Sequence, residues 1–414
     1  MRSLLGANAF TAAAFAFSAV IVAGMFVATI FAVLYHRLIY IRYRRRAYNP
    51  QYRPRCSVII PCKGLPKDLQ DNLESFLRLD YPDYEVLFSV ESDADPAAAI
   101  IRAVVAKAPQ RCSLVISGLS QTCAQKNFNQ LAAIRAAKNP DVYVFADADI
   151  GPKANWLTEL VLPLSDPGTT VTTGFRWLYA QRGSLGGQVH AFQSNLLYVL
   201  FCCAATFSKL ALLWGGSMAM RKKDFDELGV AKRWAETVVD DFSLSKILMK
   251  SKKHAVLVPT CVTATDDSLE TFGQAVTWFK RQTMYLKAYH RKTWAFLTMP
   301  ALTALLCIQL WLPFPLLLGR FSLESFLALG GASSLLLTAG VMLTLLLYPL
   351  IGPNPRFAGF FFVQPFSLFS VFYAALNTLF TNTIIWSGVR YKMNADGTVA
   401  SVERPERGKK GEPC

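Results

Sequence analysis

The chain has few of the residues from which metal centres, disulfide frameworks and solvated surfaces are built. Only four histidines occur in 414 residues, at positions His36, His190, His254 and His290. None is paired at helical ligand spacing, so a zinc site is not expected. The nine cysteines are scattered, with Cys202 and Cys203 the one adjacent pair. That is no disulfide framework, and free thiols fit a catalytic domain in the cytoplasm. Acids are scarce too: 28 Asp and Glu stand against 43 Lys and Arg, a net charge of +15. Charged residues make up 17% of the chain and hydrophobic ones 53%. This balance is too apolar for an ordinary soluble protein, so part of the chain is expected in lipid. The basic residues cluster beside apolar stretches, which reads as membrane orientation and contact with anionic headgroups rather than with nucleic acid. Internal repeats and low-complexity tracts are missing.

What is present falls into a definite order. Residues 3–35 carry no charged side chain, and Arg37, Arg42, Arg44, Arg45, Arg46, Arg53 and Arg55 follow with no acid until Asp68. This predicts a spanning helix over 1–38 and a basic linker over 39–55 on the cytoplasmic side. The length of the apolar run and its closing arginines argue against a cleaved signal peptide. Residues 56–265 switch to an α/β pattern. SVIIP (57–61), EVLFSV (85–90), SLVIS (113–117) and VYVFA (142–146) are short strand-like runs separated by helical patterns, which predicts a parallel sheet covered on both faces. Leu69, Leu73, Phe76 and Leu77 recur at helical spacing. Residues 266–292 predict an amphipathic helix lying in the interface. It would open with a capping box from Asp267 to Glu270 and mix Phe272, Val276, Trp278, Phe279, Met284 and Tyr285 with Lys280 and Arg281. Over 293–389 three uncharged stretches follow: 293–319, 325–355 and 357–389. Basic residues on both sides of this region require an even number of crossings, so one stretch should be re-entrant or interfacial. The last, with Pro365, Asn377 and Asn382, is the best candidate. A basic tail, 390–414, is expected in the cytoplasm. The whole reads as a multi-pass membrane protein, of a bacterial inner membrane given its short loops.

Three acidic groups carry candidate chemistry. Asp147 and Asp149 end the strand VYVFA; residues i and i+2 lie on one face of an extended chain, so both carboxylates can point at one site beyond the strand. Two hard oxygen ligands suit Mg²⁺ or Mn²⁺ shared with a substrate diphosphate; a surface turn is the rival reading. Glu91, Asp93 and Asp95 follow a second strand in the same topological position and can accept hydrogen bonds from a nucleobase and ribose. The rival is a loop that caps a helix starting near Pro96. Asp240 and Asp241 open a third amphipathic run. Either both cap that helix, or one is a general base that deprotonates an acceptor hydroxyl. Adjacent helical residues point about 100° apart, so one alone can serve as base, and we take Asp241.

In this order the motifs resemble the inverting glycosyltransferases of family two and, more closely, the ceramide glucosyltransferases and their bacterial lipid glycosyltransferase relatives. The resemblance covers roughly residues 55–290. VESDADPA is similar to the family's first acidic cluster, FADAD to its second, and VVDDFSL to its third, with Asp240 beside the donor and Asp241 in the place of the base. QTCAQKNFNQL is similar to the lysine-bearing helix start, which implies that Lys126 faces the donor diphosphate. GGSMAMRKKDFDELG implies that Gly215 and Gly216 let backbone approach the sugar. The family's (Q/R)xxRW helix corresponds to Gln274 and Trp278, but Thr277 stands where the family has arginine. Lys280 or Arg281, one turn on, would supply the missing charge. The resemblance implies a GT-A fold, an α/β nucleotide-diphospho-sugar transferase fold, combined with transmembrane helices. It also implies a divalent metal, a nucleotide sugar such as UDP-glucose, inversion at the anomeric carbon, and a lipid acceptor such as ceramide or diacylglycerol. Two other readings are a processive polysaccharide synthase, which would need more spans to enclose a polar channel, and a non-catalytic membrane scaffold.

Overall fold

The computed structural model describes residues 48–181, 183–206, 212–267, 269–295 and 357–404, with the single positions 27, 30, 34 and 298. The expected span over 1–38 and the stretches 293–319 and 325–355 lie almost wholly outside the described residues. Among the described residues no helix is long and apolar enough to cross a membrane.

A seven-stranded sheet organises the domain. Its strands are β1 (Cys56–Pro61), β2 (Tyr84–Val90), β3 (Cys112–Ile116), β4 (Val142–Ala146), β5 (Thr169–Tyr179), β6 (Ser217–Arg221) and β7 (His254–Asp266), in the order β3-β2-β1-β4-β6-β5-β7. Strands β3, β2, β1 and β4 are mutually parallel, as the alternation of strands and helices predicts. The parallel expectation fails at β6, which runs antiparallel to both β4 and β5. The segment entering β6 carries Gly215 and Gly216 back across the end of β4, and only an antiparallel strand can leave from there along β4. Strands β2 and β4 are buried along their whole length, as strands covered on both faces must be.

Helices α1 (Leu69–Ser75), α2 (Pro96–Lys107), α3 (Gln125–Ala136), α4 (Trp156–Val161), α5 (Leu185–Thr206), α6 (Lys222–Glu227), α7 (Val230–Trp234) and α8 (Asp240–Ser251) occupy the connections. Leu69, Leu73 and Phe76 are buried in one core with Val58, Ile60, Val86 and Phe88, as their spacing requires. Beyond the sheet, α9 (Phe272–Tyr289) and α10 (Phe357–Phe380) pack against each other and against α5.

The start of α9 departs from the expected capping box. Strand β7 runs to Asp266, and Asp267 turns the chain, its Oδ2 against His190 and its Oδ1 accepting from the Leu269 amide at 3.0 Å, short of a helix that starts only at Phe272. The box is one turn later: Thr271 Oγ1 accepts from the Gln274 amide at 3.3 Å, and Gln274 Oε1 accepts from the Thr271 amide at 3.0 Å. Replacing a Thr N-cap costs about 1 kcal/mol. Thr271→Ala is therefore expected to lower the midpoint of thermal unfolding by a few degrees, and an unchanged midpoint would show that the cap is dispensable.

Residues 383–403, read from sequence as the end of an apolar stretch and a basic tail, form a three-stranded antiparallel sheet: β8 (Thr383–Trp386), β9 (Val389–Met393) and β10 (Val399–Glu403). Ser387 and Gly388 turn the first hairpin with φ of 48° and 75°, the two positive values of a type I′ turn. Val389, Tyr391 and Met393 face inward, with Arg390 and Lys392 outward. The buried face joins Val238, Val239, Met284, Tyr285 and Tyr289 in one small core. Residues 383–403 are thus fastened to the domain.

Candidate active site

The site lies beyond the carboxyl ends of β1, β2 and β4, where open α/β sheets place their ligands. Lys126, second residue of α3, is at its centre. Its Nζ lies 2.8 Å from Asp147 Oδ1 and 3.2 Å from Asp240 Oδ2. Burial alone would lower the ammonium's pKa, but the charges of Asp147, Asp240 and Asp241 more than reverse this and hold Lys126 charged. Asp240 is fully buried and also accepts from Gln130 Nε2 at 2.8 Å.

Asp241, one residue on, points elsewhere. Its Oδ2 accepts from the Gly215 amide at 2.9 Å and its Oδ1 from the Phe242 amide at 2.6 Å. Burial first, and the Asp240 charge second, push its pKa up to about 7, against the pull of Lys126 and the two amides. A carboxyl group that titrates near neutrality has the protonation behaviour of a general base. The two glycines are required by contact: a Cβ on Gly215 would lie 2.7 Å from the Asp240 carboxylate oxygens, and one on Gly216 would lie 2.2 Å from the Trp214 ring and 2.7 Å from Asp147 Oδ2.

Asp149 forms an ion pair with Arg176 of β5. Burial works against the Arg176 charge, while Asp149, Asp147 and Asp267 support it. Lys126 takes one oxygen of Asp147 and Arg176 one of Asp149, and Asp149 Oδ1 is buried with no hydrogen-bond partner. An orphaned carboxylate oxygen beside a second carboxylate fits a divalent cation. Among the described residues no cluster of three His, Cys, Asp or Glu ligands is assembled, so the remaining ligands would come from substrate oxygens and water.

The first acidic cluster divides. Glu91, just beyond β2, sits 3.1 Å from Lys63 Nζ and 3.8 Å from Arg404 Nη1. Asp95 caps α2, accepting from the Ala97 amide at 2.9 Å, and also holds the Gly64 amide at 2.9 Å. It still borders the site, because Cys62, at the end of β1, has its thiol pKa raised by burial and then by both Asp95 and Asp147. Asp93 does not join them. It pairs with Arg102 on the exposed outer surface, because the turn into α2 directs it outward.

The helix motif divides in the same way. Gln274 spends its side-chain oxygen on the cap described above, which departs from a donor-binding role. Trp278 packs edge-on to His190, with ring centroids 4.2 Å apart, and His190 Nδ1 lies 2.6 Å from Asp267 Oδ2. Burial is the main influence lowering the His190 pKa, with Arg176 and Arg281 adding to it and Asp267 opposing. Arg281 thus stands near this group, its guanidinium 5.5 Å from the Trp386 ring centroid. Lys280 is half-buried and its pKa is lowered by burial alone; nothing brings it to the carboxylates. Thr277 donates to the Gly273 carbonyl, so it does not replace the family's arginine.

Sequence reasoning missed Lys63, Arg176, His190 and Arg404. Lys63 and Arg176 left signals, one as the second residue after a strand, the other as a lone charge in the apolar run of β5. Arg404 left none. Its Nη2 donates to the Ser120 carbonyl at 3.0 Å and to Gln125 Oε1 at 2.7 Å, which bolts the C-terminal sheet to the Glu91 end of the site. Arg404→Ala removes hydrogen bonds from a charged donor, each worth roughly 1.5–3 kcal/mol. It is expected to weaken about tenfold the binding of whatever ligand occupies this end of the site, read as KM, with little change in kcat; a fall in kcat alone would contradict this placement.

Comparison with known proteins accords with this geometry. The family model described as Glycosyl transferase family 21 matches residues 24–399. Ceramide glucosyltransferase 1 of Caenorhabditis elegans is 27% identical over 206 residues, 47% of this chain and 42% of that one. Ceramide glucosyltransferase 3 of the same animal is 24% identical over 55% of this chain and 50% of its own length. The matches thus span half or less of these relatives. Among solved structures, the mannosyltransferase PcManGT from Pyrobaculum calidifontis, in complex with GDP-Man and Mn²⁺, superposes with a TM-score of 0.50 at 19% identity. That match covers 89% of this chain and 99% of that one, and it shows the glycosyltransferase GT-A-like fold.

Proposed function

Since the chain belongs to glycosyl transferase family 21, we propose that it transfers a hexose from a nucleotide-diphosphate sugar, with inversion, to the hydroxyl of a membrane lipid such as ceramide or diacylglycerol. The observation that carries this reading is Asp241: a carboxylate of near-neutral pKa, fixed by the Gly215 amide, one residue from the buried Lys126–Asp240–Asp147 cluster.

In the mechanism that follows, Asp241 accepts the proton of the lipid hydroxyl as its oxygen attacks the anomeric carbon. The bond from that carbon to the diphosphate breaks on the opposite face, and the electron pair leaves with the nucleoside diphosphate. Lys126 lies where it can offset charge that grows on the departing phosphate. Asp147 and Asp149 would hold Mg²⁺ or Mn²⁺, which when bound neutralises diphosphate charge. Glu91, with Lys63 and Arg404, forms the end of the site that suits a nucleobase and ribose. UDP-glucose is the proposed donor; the names of the two relatives, both glucosyltransferases, support the glucose. The uncharged stretches support a multi-pass protein, their basic flanks support a cytoplasmic side for this domain, and the short loops support a bacterial inner membrane.

The test is direct. Purified full-length chain is incubated with labelled UDP-glucose or GDP-mannose and a panel of ceramide, diacylglycerol and glycerophospholipids, with Mg²⁺, with Mn²⁺ or with EDTA. A chloroform-extractable labelled product that EDTA abolishes is expected. No lipid product under any metal condition would overturn the proposal, and a soluble polymer would point to a polysaccharide synthase.

A further inference from the structure

A cavity of about 290 Å³ opens between the end of α9, the end of α10 and the C-terminal hairpin, on a different face of α9 from Trp278 and Tyr285. Its lining holds two cations, Lys287 and Arg291, and the amides Asn382 and Asn394, with no carboxylate. Lys287 is fixed in place. Its Nζ donates to the carbonyls of Thr378 and Thr381, at the carboxyl end of α10, where a cation is favoured. An ammonium has three donors; two are spent on these carbonyls, and the Trp294 ring centroid lies 5.6 Å from Nζ. Burial first, and the Arg291 charge second, lower the Lys287 pKa, with no acid acting on it. Two cations one helical turn apart thus line the same wall of a cavity without a carboxylate, and an anion is what completes the arrangement.

A second observation fixes the kind of anion. Phe366, Phe369, Tyr373, Leu376 and Phe380 recur at intervals of three and four residues along α10, and all are exposed, Phe380 by 83%. The opposite face, with Ser370, Ala374 and Thr378, is buried in the protein. An exposed apolar stripe that ends at a pair of cations combines two chemistries, hydrocarbon along the helix and a phosphate at its end. A soluble phosphate uses only the second.

We propose that the cavity holds the phosphate of an anionic phospholipid whose acyl chains lie along the stripe from Phe366 to Phe380. This rests on the membrane reading above but not on the identity of the donor or acceptor. The lipid is a bound companion rather than the sugar acceptor, since it meets α9 away from Asp241.

The experiment uses the full chain in neutral detergent, incubated with phosphatidylglycerol or phosphatidylcholine and examined by native mass spectrometry. Parent, Arg291→Gln, Arg291→Lys and Phe380→Ser are compared, with thermal unfolding as a check on folding. The parent should retain phosphatidylglycerol over phosphatidylcholine. Arg291→Gln should weaken that retention about fivefold, the contribution of one cation near a charged surface. Arg291→Lys should restore it, and Phe380→Ser should weaken both lipids. Equal retention of the two lipids, or no change in Arg291→Gln, overturns the proposal. Displacement of phosphatidylglycerol by millimolar inorganic phosphate would also overturn it, because the occupant would then be a free anion. Binding is read without turnover, so a chain with no transferase activity can still pass, and an active one can still fail.

Discussion

Asp241→Asn is expected to lower kcat/KM by about 10²- to 10⁴-fold, the range for loss of a positioned general base, while the folded protein persists. Asparagine keeps one oxygen for the Gly215 or Phe242 amide and loses the proton-accepting charge. In the parent, kcat/KM should rise about tenfold per pH unit up to about 7 and then level, as Asp241 ionises. The variant should lack this limb. Stability should move the other way. Burial and Asp240 raise the pKa of Asp241 in the folded state above its ordinary 3.8, so the folded chain binds more protons than the unfolded chain between these values. The stability this group confers is present in full below pH 3.8 and is lost as pH rises through about 7. Asp241→Asn removes that loss, and because the hydrogen bond given up is worth only about 1 kcal/mol, at pH 8 the variant should be at least as stable as the parent. Retained activity, or a collapse of stability, would each contradict the assignment.

Lys126→Met has the largest expected effect on the fold itself. The side chain is 14% exposed and Asp240 beside it 1%, so the substitution leaves buried carboxylates without their cation. Breaking a buried pair in this way costs about 3–5 kcal/mol. In the parent the Lys126 contribution is flat from pH 5 to 9: its folded pKa is raised above 10.5, and stability from such a group is present in full below 10.5 and lost as pH rises from there through the folded value. In Lys126→Met the deficit should instead shrink as pH falls towards 5, because a carboxylate can then take up a proton in place of the missing cation. Lys126 also pulls the Asp241 pKa down, so the acidic limb of the rate profile should move to higher pH. Adding Asp240→Asn should recover part of the lost stability, since the two residues share one interaction. A variant that melts with the parent and keeps its limb in place would show that Lys126 is a surface cation.

How much of this could be read beforehand varies residue by residue. Asp147 and Asp149 stood out because they end an apolar strand, and a strand's length and side-chain alternation are local properties. The cap made by Asp95 before Pro96 was equally local and was weighed as such. Asp93 could not be told from its neighbours, since a one-residue difference in a turn decides between pocket and solvent. Gln274 matched a motif, yet its oxygen went to the helix start. A capping box and a ligand-binding glutamine use the same side chain, and only the position at which β7 ends selects between them. The alternation of Val389, Tyr391 and Met393 was visible, but short strands with so many basic neighbours read as tail until a surface exists for them to cover.

The sequence by itself determined the strand and helix pattern of the catalytic domain, the acidic groups at the ends of its strands, and the apolar flanks. All three are written in periodicity and composition over a few to a few dozen neighbouring residues. Only the tertiary structure decided which charges meet. Lys126 finds Asp240 across 114 positions, Arg176 finds Asp149 across 27, and Arg404 reaches Ser120 and Gln125 from the far end of the chain. It also decided that β6 turns back antiparallel and that two cations are left facing a cavity. Charge pairing between distant segments leaves no periodic mark in a chain, because it is fixed by where whole elements cross once their apolar faces have been buried.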